Sequence, residues 1–273
     1  MSNPKIAFIG AGNMAKSIIG GLLAEGFSAS DIIASGPRQE NLDKVAAEYG
    51  IATSTDNAKA AANADVVVLA VKPQMLKAVA EDLRNSFTHK PLIISLAAGI
   101  TTQSIANWVG DDQAIVRCMP NTPSQVREGA SGLFANANTS DAQKSQADTI
   151  LRAVGVVQWL DDEALVNSVT AVSGSGPAYF FLVMEAMIDA GVALGLTREC
   201  ARELTLQTAL GAAILAKQSD VDVSELRRRV TSPNGTTEQA IKSFETDELR
   251  SIFGRAMQAC SDRAVELSAQ LGK

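Results

Sequence analysis

A glycine-rich turn between an apolar run and a helical pattern constrains this chain more than any other feature. Residues 5–10 read KIAFIG, and Gly10, Gly12 and Ala15 then follow the spacing GxGxxA. In this pattern the first glycine allows a tight turn, the second lets a pyrophosphate approach the backbone, and the small third residue lets the helix pack on the strand. We therefore predict a Rossmann-type strand, turn and helix, with a dinucleotide pyrophosphate on the N-terminal amides of the helix.

Short apolar runs alternate with helical patterns through the first 160 residues. The runs are 5–10, 32–35, 66–71, 92–97, 114–119, 132–135 and 154–160. This alternation indicates a mainly parallel sheet covered by helices on both faces. After about Asp161 the strand pattern stops and helical patterns continue to about Leu271. We predict an α/β N-terminal domain over residues 1–161, a Rossmann-like doubly wound sheet, followed by an all-α C-terminal domain over residues 162–273.

One segment of the C-terminal half, residues 178–194, is apolar on nearly every side of a helix. Such a helix needs more than one neighbour to bury it, and a domain of about 110 residues has difficulty supplying them. A second copy of the chain would supply them, so we expect a dimer through the helical domain. The apolar run meets Glu185 and Asp189 before the ~20 residues that a membrane span needs, so we expect no span.

Charge and cysteine content exclude several classes of protein. The chain has 24 Lys and Arg against 30 Asp and Glu, a net charge of −6, which opposes binding to nucleic acid or to anionic membranes. Its cysteines, Cys118, Cys200 and Cys260, are odd in number and far apart, and His89 is the only histidine. We therefore expect neither a disulfide framework nor a metal site. With no signal-peptide pattern at the start, a cytoplasmic location is predicted.

The end of the second apolar run indicates which dinucleotide binds. An NAD enzyme places an acidic residue at the tip of the second strand, but Asp31 precedes the run and so lies at its far end. The tip instead carries Ser35 and Arg38, whose hydroxyl and guanidinium suit a 2′-phosphate. NADPH is therefore favoured and NADH stays open, with a solvated loop cation as the alternative for Arg38.

Further candidates follow the third and fourth runs, at the same edge of the predicted sheet. Lys72 is either a proton donor or a residue that positions the nicotinamide half. Asn57, which lies between the second and third runs, either binds the adenosine side or begins a helix. The small residues Ala97, Ala98 and Gly99 would let a flat ring approach. No histidine follows a run at this edge, which disfavours the His-assisted reduction of a keto acid, whereas an iminium accepts hydride without a protein donor.

A turn in the C-terminal half is the candidate substrate site. Pro233, Asn234 and Gly235 form a turn, and Thr236 with Gln239 has the spacing of a capping box. The amides at such a helix start suit a carboxylate, and the Thr237 hydroxyl could bond a substrate nitrogen. An ordinary capped turn remains the alternative.

Seven stretches of the chain, taken together and in order, resemble the pyrroline-5-carboxylate reductase family. They are FIGAGNMA at 8–15, AVKP at 70–73, SLAAGIT at 95–101, RCMPNTP at 117–123, VREGA at 126–130, SGSGPAY at 173–179 and TSPNGTT at 231–237. The resemblance implies NAD(P)H-dependent reduction of the ring imine of 1-pyrroline-5-carboxylate to L-proline, the last step of proline biosynthesis. It also implies an intertwined homodimer through the helical domain and further assembly of dimers, with a decamer as one option.

The resemblance assigns roles to particular residues. Thr237 and Lys72 are the candidate catalytic residues. The dinucleotide would contact Ile9, Gly10, Ala11, Gly12, Asn13, Met14, Ser35, Asn57, Ala70, Val71, Lys72, Pro73, Ala97, Ala98 and Gly99, with Arg38 added by the argument above. The substrate would contact Glu163, the backbone of Ser232, Pro233, Asn234, Gly235 and Thr236, and the Thr237 hydroxyl. The family's turn often reads Pro-Gly-Gly, and Asn234 also tolerates left-handed backbone angles.

Three alternatives stay open. A β-hydroxyacid dehydrogenase relative would need a catalytic lysine on the first long helix of the second domain, but residues 178–194 contain none. Another imine reductase would share the site and differ in substrate. A non-catalytic NADP-binding protein would keep the glycine turn but have no reason for an anion-binding turn, and a turnover assay separates it.

Overall fold

The computed structural model describes residues 3–272, and within them eight strands form one sheet. The strands are β1 (Ile6–Ile9), β2 (Ile32–Ser35), β3 (Ala52–Ser54), β4 (Val66–Leu69), β5 (Leu92–Ser95), β6 (Ile115–Met119), β7 (Gly129–Ala135) and β8 (Gly155–Trp159). Their order is β3-β2-β1-β4-β5-β6-β7-β8. The first six are parallel, β7 is antiparallel to β6, and β8 is parallel to β7. The mainly parallel sheet is confirmed, and β3 is the strand that the sequence pattern missed.

Twelve α-helices accompany the sheet in the described residues. They are α1 (Asn13–Ala24), α2 (Gln39–Tyr49), α3 (Asn57–Ala61), α4 (Pro73–Leu83), α5 (Thr102–Val109), α6 (Asp141–Arg152), α7 (Leu165–Val169), α8 (Gly176–Ala193), α9 (Arg198–Gln218), α10 (Val223–Arg229), α11 (Thr236–Thr246) and α12 (Leu249–Leu271). Between α7 and α8 the chain forms a π-helical segment, Thr170–Gly174. The helical pattern of the C-terminal half therefore includes a local change of helix type at this segment.

The sheet is buried on both faces because its central strands are apolar at every position. In β1, Ile6 and Phe8 enter one hydrophobic cluster, while Ala7 and Ile9 enter the other. α1 covers the first face with residues spaced for one side of a helix, and α4 covers the second. Burying one such Ile or Phe contributes about 1.5–3 kcal/mol. Packing from both faces confirms the doubly wound architecture and holds the strand ends at one edge.

The strand order reverses between β1 and β4. From β1 the chain moves outward to β2 and β3, and then returns to β4 on the other side of β1. Ile9 lies opposite both Ser35 and Leu69, so these three strands end level with one another. Ligands of open α/β sheets bind at this reversal, outside the carboxyl ends of the strands.

The chain divides into two compact units. The first runs to Ser175 and also includes the segment from Cys260 onward, and the second is Gly176–Ala259. The boundary predicted at residues 161 and 162 therefore falls inside the first unit, because α7 and the π-helical segment pack on β7. The C-terminal segment belongs to the first unit because Ser104 Oγ donates to the Gly272 carbonyl at 3.0 Å.

In the second unit, α8 is largely uncovered. Gly176 is its only buried residue, and Phe180, Phe181 and Leu182 are each about two-thirds exposed. Counted through the π-helical segment, the helical stretch Leu165–Ala193 is long and apolar enough to cross a membrane by length and composition. The expectation that this apolar run is too short for a span is therefore wrong on length. Helices that pack against another protein chain can have the same length and the same apolar composition.

Candidate active site

The turn after β1 requires glycine at its first position. Gly10 has φ +105°, and its N–H donates to the Ser35 carbonyl at 3.0 Å. A Cβ at Gly10 would lie 2.8 Å from the Ala70 carbonyl oxygen, which is closer than real Cβ contacts. The chain therefore passes directly beside the end of β4, and this places the turn in the crevice at the strand reversal.

The second glycine leaves open space above the start of α1. Gly12 is the N-cap of α1, and none of the described atoms outside its own turn lies within 4 Å of where its Cβ would be. The first amides of a helix have no intrahelical partner, and they carry the positive end of the helix dipole. Ala15 is fully buried, so this helix packs closely on the sheet. The arrangement fits a dinucleotide pyrophosphate.

Ser35 and Asn57 form a hydrogen-bonded pair beside this turn. The Ser35 hydroxyl donates to Asn57 Oδ1 at 2.7 Å, and Ser35 is fully buried. The hydroxyl is thus bonded to Asn57 in this structure, and its contact with a 2′-phosphate stays a prediction. Asn57 is the first residue of α3 and partly exposed, so the pair orients the Asn57 amide at the sheet edge.

Arg38 lies in the open at the start of α2. It is exposed and occupies the N-cap position, and its own side chain makes no capping bond in the described structure. With the Asn41 amide turned to accept, its oxygen lies 2.9 Å from Arg38 Nη2 and 3.2 Å from Nε. The guanidinium therefore lies close to the first turn of α2. Asp31 lies before β2, away from this end, as predicted.

Lys72 and the residues after β5 lie at the same edge of the sheet. Lys72 is exposed and is the N-cap of α4, with Pro73 as the first helical residue. The Ala97 N–H donates to Ser95 Oγ at 3.3 Å, which turns the chain at the end of β5. Gly99 has φ +75°, and its Cβ would lie 3.3 Å from Leu267 Cβ. The loop formed by Ala97, Ala98 and Gly99 therefore has one side against the C-terminal segment.

The Glu163 carboxylate is hydrogen-bonded to other residues of its own chain. Its carboxylate accepts the Thr102 N–H at 2.7 Å, the Thr102 hydroxyl at 2.8 Å and Arg117 Nη1 at 3.2 Å. The Arg117 side chain is 4% exposed and that of Glu163 is 20% exposed. Burial lowers the pKa of Arg117 from its usual value, and the Glu163 carboxylate opposes that change. Both carboxylate oxygens of Glu163 are thus hydrogen-bonded within the chain, and the substrate contact expected of this residue stays a prediction.

The turn before α11 in the second unit has the predicted form but not the predicted cap. Asn234 adopts φ +56°, and the Gly235 N–H donates to the Ser232 carbonyl at 3.0 Å. Gly235 is the N-cap, so the capping box predicted for Thr236 is wrong. Glu238 instead accepts the Asn234 N–H at 3.1 Å. The amides of Asn234 and Gly235 are thus occupied, which leaves the first-turn amides of α11 for an anion.

Glu238 adds a negative charge to that turn, and Lys242 offsets it. Lys242 Nζ lies 3.1 Å from Glu238 Oε2. The bond from Lys242, followed by the bond from the Asn234 N–H, holds the pKa of Glu238 below its usual value. Thr237 is exposed on the first turn of α11. The helix start is therefore open to a carboxylate, with a hydroxyl beside it.

The helix starts proposed to bind ligands share the absence of a side-chain cap, which was not recognised from the sequence. Side chains of Ser, Thr or Asp cap α3, α5, α6, α9 and α10. The N-caps of α1, α2, α4 and α11 are Gly12, Arg38, Lys72 and Gly235, and none of these residues makes a side-chain capping bond in the described structure. The short α7 also lacks one. The sequence could have shown this, because Gly, Arg and Lys stand at positions where a capping side chain is usual.

Residues in and just after strand β6 make contacts that the sequence analysis did not predict. Arg117 and Met119 alternate along it and share one face, and Asn121 follows two residues after the strand ends. Arg117 bonds Glu163, a Cβ on Gly174 would lie 2.5 Å from Met119 Cε, and Asn121 Nδ2 donates to the Ser173 carbonyl at 3.0 Å. The period-two spacing in RCMPNTP was the available signal. This face of β6 fixes the segment that leads into α8.

Comparison with known proteins gives matches over both halves of the chain. Residues 163–267 match a family model for pyrroline-5-carboxylate reductase dimerisation, and residues 5–99 match one for NADP oxidoreductase, coenzyme F420-dependent. The dimerisation match includes the whole of the apolar stretch Leu165–Ala193. The uncovered face of α8 therefore belongs to a dimerisation region.

Relatives match over the whole length. Pyrroline-5-carboxylate reductase of Pseudomonas aeruginosa is 58% identical over 273 residues, which covers 100% of both chains. The structure of a pyrroline-5-carboxylate reductase from Coxiella burnetii has a TM-score of 0.95 and 49% identity, covering 98% of this chain and 99% of that one. A Plasmodium falciparum pyrroline carboxylate reductase with NADP bound has a TM-score of 0.87 and 29% identity, with coverage of 98% and 99%. The chain belongs to the pyrroline-5-carboxylate reductase family.

Proposed function

We propose that this chain is an oxidoreductase acting on a C=N bond, which reduces 1-pyrroline-5-carboxylate to L-proline in the last step of proline biosynthesis. The observation that carries the proposal is the 58% identity to a curated pyrroline-5-carboxylate reductase over the full length. The open starts of α1 and α11 support it, since the reaction needs one anion site for a pyrophosphate and one for a carboxylate.

A bound NADPH supplies the hydride that the imine carbon accepts. The substrate enters as the iminium, so one hydride and the proton already on nitrogen complete the amine. The protein then needs no acidic side chain for this step. It contributes by holding the nicotinamide ring and the imine in the geometry for hydride transfer. Lys72 is proposed to position the nicotinamide half from the start of α4 rather than to donate a proton.

The substrate is proposed to bind at the start of α11. The first-turn amides donate to its carboxylate, and the Thr237 hydroxyl bonds the ring nitrogen. Once that nitrogen is an amine, the hydroxyl can donate to its lone pair, so the contact favours the product side of the step. Pairing of Glu238 with Lys242 keeps an uncompensated negative charge away from the carboxylate.

The dinucleotide is proposed to lie along the edge from Arg38 to Ala97, with its pyrophosphate at Gly12. Residues 5–99 match an NADP oxidoreductase model, and the exposed guanidinium of Arg38 beside the α2 start suits a 2′-phosphate. On this ground we propose that NADPH is used in preference to NADH.

The match to a dimerisation family model supports homo-oligomerisation of this chain. We propose a homodimer through the second unit and assembly of dimers to a decamer. The two-thirds exposure of Phe180, Phe181 and Leu182 supports the contact. We propose a cytoplasmic location with no membrane or nucleic-acid partner, on the ground of the −6 net charge and the free cysteines of the described chain. Sedimentation of the purified protein measures the assembly.

The direct test of function is turnover with purified protein. Loss of reduced-nicotinamide absorbance is followed with 1-pyrroline-5-carboxylate, with cyclic imines that lack the carboxylate, and with keto acids. We expect rapid oxidation of NADPH only with the carboxylated imine, and L-proline as the product on chiral chromatography. Comparable turnover with the other imines or with the keto acids would overturn the assignment.

A further inference from the structure

The C-terminal end of α12 is anchored on the first unit at two points. The Ser104 hydroxyl, in the first turn of α5, donates to the Gly272 carbonyl at 3.0 Å. One residue earlier, Leu271 packs on the hydrophobic cluster of the second sheet face. The anchor is not local, since 168 positions separate Ser104 from Gly272. The helix end is therefore held against α5 and the sheet.

One turn before this anchor, the backbone of α12 lies beside Gly99. A Cβ on Gly99 would lie 3.3 Å from Leu267 Cβ, 3.4 Å from the Leu267 carbonyl carbon and 3.5 Å from the Ser268 nitrogen. Two of these three atoms belong to the helix backbone, which its own hydrogen bonds hold in place. Gly99 has φ +75°, which glycine adopts without strain. The loop therefore bends closely against the helix, and the helix limits its movement on that side.

The loop has few other fixed points. At its start the Ala97 N–H donates to Ser95 Oγ at 3.3 Å, and at its end Thr101 caps α5. Between these points the N–H groups of Ala98 and Gly99 donate no hydrogen bond within the described part of the chain. Gly99 is buried and Ala98 is partly exposed. The end of α12 thus covers the loop at Gly99, and the loop remains open at Ala98.

We propose that the C-terminal end of α12 is a positioning element of the cofactor site, which supports the loop of Ala97, Ala98 and Gly99 on the side away from the nicotinamide ring. A loop that is already fixed loses less conformational freedom when the nucleotide binds, so affinity is higher. Leu271 and Ser104 are positioning residues, because they act on the ring only through the helix end and the loop. The inference rests on the proposed function in taking this loop as part of the cofactor site.

The test compares NADPH with adenosine 2′,5′-bisphosphate, which carries the 2′-phosphate but no nicotinamide. In the full-length protein, Leu271→Ala removes the packing of the helix end, and Leu271→Met restores an apolar side chain of similar volume. The dissociation constants of both nucleotides are measured by calorimetry without the imine. We expect Leu271→Ala to weaken NADPH binding about three- to tenfold and bisphosphate binding by less than about twofold, with Leu271→Met close to the wild type.

Hydrogen exchange of the loop is a second measurement, and it needs no ligand. Amide exchange in residues 96–101 should be about fivefold or more faster in Leu271→Ala than in the wild type. Ser104→Ala, which removes the bond to Gly272, should change both measurements in the same direction. Leu23→Ala is the matched control, since Leu23 is a partly buried leucine of α1 that packs on the cluster of the first sheet face. It should lower Tm and change neither the loop exchange nor the ratio of the two affinities.

Two results would overturn the proposal. One is wild-type loop exchange in both Leu271→Ala and Ser104→Ala, which would show that the helix end does not restrain the loop. The other is faster loop exchange with unchanged NADPH affinity, or with equal loss of affinity for both nucleotides, which would separate the loop from the nicotinamide half. Failure of the proposed function is a distinct result, since it would be seen in the wild-type protein as NADPH binding without reduction of the imine.

Discussion

Gly10 and Gly12 have different physical reasons to be glycine, and alanine at each should therefore fail in a different way. At Gly10 the backbone has φ +105°, and an added Cβ would meet the Ala70 carbonyl oxygen at 2.8 Å. Strain of about 1–3 kcal/mol and overlap of about 1–3 kcal/mol together destabilise the fold by about 2–6 kcal/mol. We expect Gly10→Ala to lower Tm by more than about 5 °C.

Gly12→Ala should leave the fold nearly intact. No described atom outside the turn lies within 4 Å of the new Cβ, φ is −79°, and alanine in place of glycine at an N-cap costs about 1 kcal/mol or less. The methyl group would occupy the space through which a pyrophosphate reaches the α1 amides. Losing one charge-assisted hydrogen bond of about 1.5–3 kcal/mol raises the NADPH dissociation constant about 10- to 150-fold.

The assay is a thermal melt and a fluorescence titration with NADPH for both variants beside the wild type. Stability loss should dominate in Gly10→Ala and affinity loss in Gly12→Ala. Wild-type affinity in Gly12→Ala would refute the placement of the pyrophosphate, and a large fall in its Tm would refute the view that this space is open.

Three further predictions address the cofactor, the substrate and the buried thiol. Arg38→Ala should raise KM for NADPH about tenfold or more and leave that for NADH nearly unchanged, and equal effects on the two nucleotides would contradict the 2′-phosphate contact. Thr237→Val should lower kcat/KM for the imine about five- to 150-fold, while Thr237→Ser keeps most of the activity; equal loss in both would assign the effect to shape rather than to the hydroxyl. Burial raises the pKa of Cys118 to about 12, so its thiol stays protonated well above neutral pH. An aromatic disulfide reagent at mildly alkaline pH should therefore leave Cys118 unmodified in the native protein and modify it after unfolding, as mass spectrometry of peptides would show.

The sheet was predictable from the sequence because its central strands are unbroken apolar runs. β1 and β4 are buried at all four positions, so pattern and structure coincide. β3 was missed because it has only three residues, Ala52–Ser54, and none of them is buried. A strand this short at the edge of a sheet is fixed by pairing with β2, which composition does not report.

The site was predictable where a role depends on local backbone and unpredictable where it depends on distant partners. The conformation of Gly10 and the turn at Asn234 follow from residue type. The bond from Ser35 to Asn57 joins residues 22 positions apart, and the bond from Thr102 to Glu163 joins residues 61 apart. No spacing rule covers such pairs, so the partners of Ser35 and Glu163 within the chain could not be predicted from the sequence. The cap of α11 was misplaced because Gly235 and Thr236 are both acceptable there.

Four helix N-termini lack a side-chain cap in the described structure, and anionic metabolites that bind there would lengthen the lifetime of the folded protein. The absence of a side-chain cap costs a helix about 1 kcal/mol at Arg38 and Lys72 and less at Gly12 and Gly235, since glycine is itself a favourable N-cap, and a bound anion can restore this free energy. A ligand at 100 times its dissociation constant stabilises the folded chain by about 2.7 kcal/mol, and this lowers the population open to proteases about 100-fold. A cell with little reduced nucleotide would therefore degrade this chain faster than one in which the nucleotide is abundant.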